Sequence, residues 1–194
     1  MITNMSLENL VNSSSQHNMG AVVQRHDGSL ENHASDKRNV HEREAKQMYE
    51  LVDAYLHSEI GEGFKEYITE QGKELVDIVG VGAGDLGHEG IVAAIYMNDV
   101  EGVIMSNYEG QTFSERVKAL AKEYDVKEET IVEYVIAHEL GHAAGYKTEA
   151  TNEKFLSEYF SKQASVTNGK EREKYVSLAA IAQKREVDAI KAGK

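Results

Sequence analysis

The sequence predicts an α+β fold in which helices at both ends flank a small sheet, and three observations carry the expectation. Amphipathic periodicity brackets the chain, short apolar runs bounded by glycine or acidic turn residues fill residues 75–105, and unbroken helical patterning returns after Gly110. With 194 residues and 41% hydrophobic content, the chain is sized for one compact domain with a flexible extension.

Residues 1–40 are rich in Ser, Asn, His and Gly, as in Asn12-Ser13-Ser14-Ser15-Gln16-His17-Asn18, and read as a flexible segment or pro-segment ahead of a domain spanning 41–194. His17, His26, His33 and His41 share no ligand spacing and read as solvated. From His41 to His57, Met48, Leu51, Val52 and Tyr55 recur at i, i+3, i+4 and i+7, which marks a helix; a second covers Phe64 to Gln71. Leu75–Val79, Ile91–Tyr96 and Val103–Met105 read as three strands. Thr112-Phe113-Ser114-Glu115 is a capping box that opens a helix through Val117, Leu120, Ala121 and Tyr124. Asp125 reads as the N-cap of the next helix, with Glu128 at its third position.

That next helix runs through Ile131-Val132-Glu133-Tyr134-Val135-Ile136-Ala137-His138-Glu139-Leu140-Gly141-His142-Ala143-Ala144, with Gly145 as the left-handed residue that closes it. His138 and His142 lie one turn apart on one stripe, so two imidazoles point the same way. Such a pair can clamp a Zn²⁺ ion, with Glu139 beside the stripe as general base on a metal-activated water that attacks a peptide carbonyl. Gly141 permits close approach.

Composition narrows the alternatives. There are 21 Lys and Arg against 33 Asp and Glu, and a net charge of −12 repels nucleic acid and anionic membrane surfaces. Zero cysteines leave His and carboxylates as the only builders of a transition-metal site. Met1-Ile2-Thr3-Asn4-Met5-Ser6 lacks a basic start and apolar run, and no stretch nears the ~20 apolar residues of a membrane span, so a soluble, cytoplasmic protein is expected.

The stretch His138-Glu139-Leu140-Gly141-His142-Ala143-Ala144-Gly145 resembles the active-site helix of the zincin metallopeptidases, and the match covers about residues 125–165. The resemblance implies a reduced zincin-like domain, with a small mixed sheet packed on the active-site helix and on a following glutamate helix. It implies a zinc endopeptidase acting on peptide or protein substrates. Of the two zincin patterns, the metzincin one requires a third ligand where Thr148 stands and a later Met; no His or Met follows His142.

The gluzincin pattern takes its third ligand from a Glu on the next helix, where Glu149, Glu153 and Glu158 are available. If Thr148 caps a helix from Glu149 to Ala164, then Leu156, Phe160 and Ala164 define its inward stripe, and Glu153 lies on it. Glu153 also stands about five residues into that helix, level with a site about five residues back from Gly145. Glu149 faces inward but sits nearer the turn, and Glu158 faces Lys154 and Lys162 on the opposite side. Asn152-Glu153-Lys154-Phe155-Leu156-Ser157 resembles the surroundings of the third ligand in some gluzincin aminopeptidases. The metal set is therefore read as His138, His142 and Glu153.

Tyr134, Tyr146 and Tyr159 are the nearby phenols that could meet a developing oxyanion. Either of the strands at 91–96 and 103–105 could offer an edge to an extended peptide. Two other functions compete. A zincin-like metal-binding or regulatory module without protease activity, covered by a terminal segment, is one. The other is dinucleotide binding through Gly82-Ala83-Gly84-Asp85-Leu86-Gly87 with Glu109 on the ribose, although a glycine-rich turn between strands explains that string as well.

Overall fold

Why the glycine-rich stretch forms part of a sheet follows from what lies beside it. In the computed structural model, which describes residues 22–25, 30–32, 38–86, 91–108 and 110–194, Asp77–Gly84 is strand β3. It runs parallel to β5 (Glu101–Asn107), and β4 (Ala93–Met97) returns antiparallel to β5 on its far side. Two further strands, β1 (Val22–Arg25) and β2 (Leu30–Asn32), extend the sheet antiparallel beyond β3, giving the order β2-β1-β3-β5-β4. They lie inside the segment expected to be flexible; the rest of 1–37 is outside the described residues. The fold is α+β.

The chain divides into two units. One comprises residues up to His57 together with Val76–Val117 and holds the sheet and helix α1 (Arg38–Leu56). Burial along β3 and β5 is nearly continuous, as inner strands require, whereas β4 alternates and is an edge among the described residues. Helix α1 lies on β3, bringing Ala45 against Ala83, and buries Met48, Val52 and Tyr55 as its periodicity predicts. His41 is not solvated: it is 1% exposed, with its ring edge-on to Tyr108.

The other unit comprises Ser58–Leu75 and Lys118–Lys194 and is helical. Helix α2 (Glu59–Glu70) begins earlier than its apolar residues suggest, because the Ser58 hydroxyl accepts from the Gly61 amide. The division falls within α3 (Phe113–Tyr124), whose capping box forms as expected, with Thr112 and Glu115 exchanging hydrogen bonds. Asp125 does not cap α4 (Glu128–Ala143). It adopts φ 54 and closes α3, a left-handed position that Asp tolerates, and Lys127 becomes the N-cap. Helix α5 (Glu149–Val166) starts on Thr148, whose hydroxyl accepts from Thr151, and a short connection leads to α6 (Gly169–Ala192), which packs extensively against α5. Phe64, Phe155, Tyr159 and Phe160 form the aromatic centre of this unit. Among the described residues, no helix is long and apolar enough to cross a membrane.

Candidate metal centre

Helix α4 is buried on nearly every side from Tyr134 to Ala143, which fixes the rotation of its polar residues about the helix axis. Its end is a Schellman turn: Gly145, at φ +89, donates to the His142 carbonyl, and Tyr146 donates to the Gly141 carbonyl. That turn carries the Tyr146 carbonyl back over the helix, where it accepts from Nδ1 of His142 at 2.6 Å. With Nδ1 so engaged, the Nε2 lone pair of His142 is the free donor.

Nε2 of His142 lies 3.2 Å from Nε2 of His138, and the rings meet edge to face. The Glu149 carboxylate completes the group, at 3.4 Å from Nε2 of His138 and 3.6 Å from Nε2 of His142. One donor atom from each of the three residues lies within 4.8 Å of the others. A tetrahedral zinc ion with ligands at about 2.0–2.1 Å requires donor–donor spacings of about 3.3 Å. The residues present therefore fit such an ion in both donor chemistry and spacing. Glu139, 4% exposed, sits between the two histidines in the chain.

The electrostatics follow from this crowding. Burial pushes the His138 imidazolium down, but Glu149, Glu153 and the charge of Glu139 outweigh it and bring the group up to about 10. Glu149 is held well below the usual carboxylate range by the imidazoles of His138 and His142 beside it. Burial alone would raise Glu153, yet His138, Arg185 and Tyr134 together lower it.

His138, Glu139 and His142 occur together as the sequence predicts, but Glu153 is not brought to the Nε2 atoms. It is 1% exposed and on the inward stripe, as expected, but its Oε1 lies 3.1 Å from Nδ1 of His138, the far side of that ring. The cause is the level at which α4 and α5 pair. A Cβ at Gly141 would stand 2.0 Å from Oδ1 of Asn152, and the Asn152 amide donates to the His138 carbonyl at 2.8 Å. This contact seats Glu153 behind His138 and leaves Glu149, one turn nearer the connection, facing both Nε2 atoms. Glu158 is exposed and pairs with Lys154 at 4.0 Å, while Lys162 turns instead to Glu70.

Two phenols are committed elsewhere: the Tyr134 hydroxyl donates to Glu153, and that of Tyr159 donates to the Ile60 carbonyl. Tyr146 stacks on Phe155, and the Lys73 ammonium lies over its ring at 4.6 Å from the centroid. Sequence reading assigns Arg185 no role and singles out Asn152 only as part of the string around Glu153. Gly82 and Gly84 lie within β3, in register with Met105 and Asn107 of β5, so these two glycines form no turn; Gly87 and Glu109 are outside the described residues. No family model, no curated protein and no solved structure matches the chain.

Proposed function

We propose that the chain is a zinc-dependent peptidase of reduced gluzincin-like type, with His138, His142 and Glu149 holding the metal and Glu139 acting as general base. The observation that carries this reading is the convergence of two Nε2 atoms and one carboxylate at spacings of 3.2, 3.4 and 3.6 Å, on a helix that also carries Glu139. Glu149 replaces Glu153 in the ligand set because its oxygens, not those of Glu153, face Nε2. Zinc bound there would supply Lewis acidity, which polarises a substrate carbonyl and makes water easier to deprotonate. The carboxylate of Glu139 takes the proton of the attacking water and delivers it to the departing amine. The Tyr146 carbonyl keeps the His142 ring oriented from behind, and the Glu153 carboxylate stands 3.1 Å behind the His138 ring.

The test is metal analysis of the wild type and of Glu139→Gln. Both should carry one zinc per chain, and hydrolysis of casein by the variant should fall roughly 10²–10⁴-fold. A variant that hydrolyses casein like the wild type would remove Glu139 from the mechanism.

One observation favours a second reading, a metal-binding module without protease activity: the hydroxyls of Tyr134 and Tyr159 are both committed to structural partners. Stoichiometric zinc with no hydrolysis, in the intact chain and in terminally trimmed forms alike, would select that reading.

A further inference from the structure

Helix α6 buries Leu178, Ile181, Ala182 and Ala189, a stripe at helical spacing, and position 185 falls on it. An arginine stands there. Nε of Arg185 donates to Oε1 of Glu153 at 2.8 Å, and its guanidinium lies 5.8 Å from the centre of the Tyr134 ring. The Tyr134 hydroxyl donates to the same carboxylate, whose Oε1 also stands 3.1 Å from Nδ1 of His138. A continuous run of contacts therefore links a residue near the end of the sequence to the back of an imidazole on α4.

Each contact has a physical task. A carboxylate that is 1% exposed is strongly disfavoured without a cation, and Arg185 supplies one. Tyr134 holds the carboxylate plane, being itself 3% exposed on the same helix as His138. Glu153, thus fixed, lies 3.1 Å from Nδ1 of His138, an ion-pair contact outside hydrogen-bond alignment, and a carboxylate held there can bias the rotation of the ring and raise the donor strength of its Nε2. His142 needs none of this, because the Tyr146 carbonyl holds its Nδ1.

We infer that Arg185 and Tyr134, acting through Glu153, are positioning residues for His138, which makes the C-terminal helix part of the metal centre. The inference rests on the zinc reading above and deepens it. It assigns a role to three residues that touch neither the metal nor the substrate.

The experiment uses the full chain and reads zinc affinity by chelator competition, the visible spectrum of the cobalt-substituted protein and the thermal melt of the metal-free protein. Glu153→Gln should weaken zinc roughly ten- to a hundredfold, and Arg185→Met and Tyr134→Phe should each weaken it in the same direction by less. The double variant Arg185→Met with Glu153→Gln should bind as Glu153→Gln alone does, because Arg185 acts only through that carboxylate. Cobalt spectra of these variants should keep the wild-type number of ligands, whereas Glu149→Gln should lose one. Arg185→Lys guards against misfolding and should recover part of the affinity lost in Arg185→Met. Wild-type zinc affinity in both Arg185→Met and Tyr134→Phe would overturn the inference, as would losses in the double variant equal to the sum of the singles. A wild type that fails to bind zinc at all would overturn the zinc reading and this inference with it.

Discussion

The two imidazoles of the site differ in what holds them. His142 is held by its own chain, through a carbonyl four residues on that the Gly145 turn delivers to Nδ1. Behind His138 stands Glu153 on α5, at 3.1 Å from Nδ1, with Tyr134 of α4 and Arg185 of α6 bonded to that carboxylate. Local backbone chemistry holds one ring, and groups brought up by tertiary packing surround the other. The first half of the site should therefore survive changes that disable the second.

The largest effect is expected at Gly141. A methyl group there would meet Asn152 at 2.0 Å, and both helices are buried at that point, so Gly141→Ala should destabilise the protein by about 3 kcal/mol in denaturant titrations. It should displace Glu153 from His138 while leaving the His142 turn intact, which ring-nitrogen ¹⁵N spectra can follow. A stability within about 0.5 kcal/mol of wild type would show that the helices do not meet there as described. Arg185→Met comes next, at about 2 kcal/mol. Removing one member of a buried pair typically costs more, but the Arg185 side chain is 38% exposed and Tyr134 remains on the carboxylate. Its spectral changes should be confined to His138.

Gly145→Ala probes the other half. A side chain at φ +89 is strained, and a loss of about 1 kcal/mol is expected, with altered Nδ1 shifts at His142 and unchanged ones at His138. Equal perturbation of both rings would collapse the contrast. Glu158→Ala should change stability by less than about 0.5 kcal/mol and leave both rings unaffected, since its pair with Lys154 is exposed.

The same contrast explains what could be read from the sequence. Spacing placed His138, Glu139 and His142 on one helix, Gly145 at its end and Thr148 at the start of the next, because each depends on neighbours within a turn or two. Helical phase also put Glu153 on the buried stripe. Phase cannot give the level at which two helices pair, and the Gly141–Asn152 contact sets that level, which is why Glu149 and not Glu153 faces Nε2. Arg185 lies 32 residues from Glu153, and its only local trace is a charge on an otherwise apolar stripe. In the sheet, Gly82 and Gly84 read as turn formers, yet β3 keeps them because the ladder to β5 supplies what their propensity lacks.

X-ray absorption at the zinc edge of the purified protein tests directly whether two histidines and one carboxylate hold a zinc ion. Two imidazole nitrogens and carboxylate oxygen at about 2.0–2.2 Å are expected, with the carboxylate contribution lost in Glu149→Gln and kept in Glu153→Gln. A first shell with fewer than two imidazoles, or a carboxylate contribution that disappears in Glu153→Gln and persists in Glu149→Gln, would contradict that ligand set.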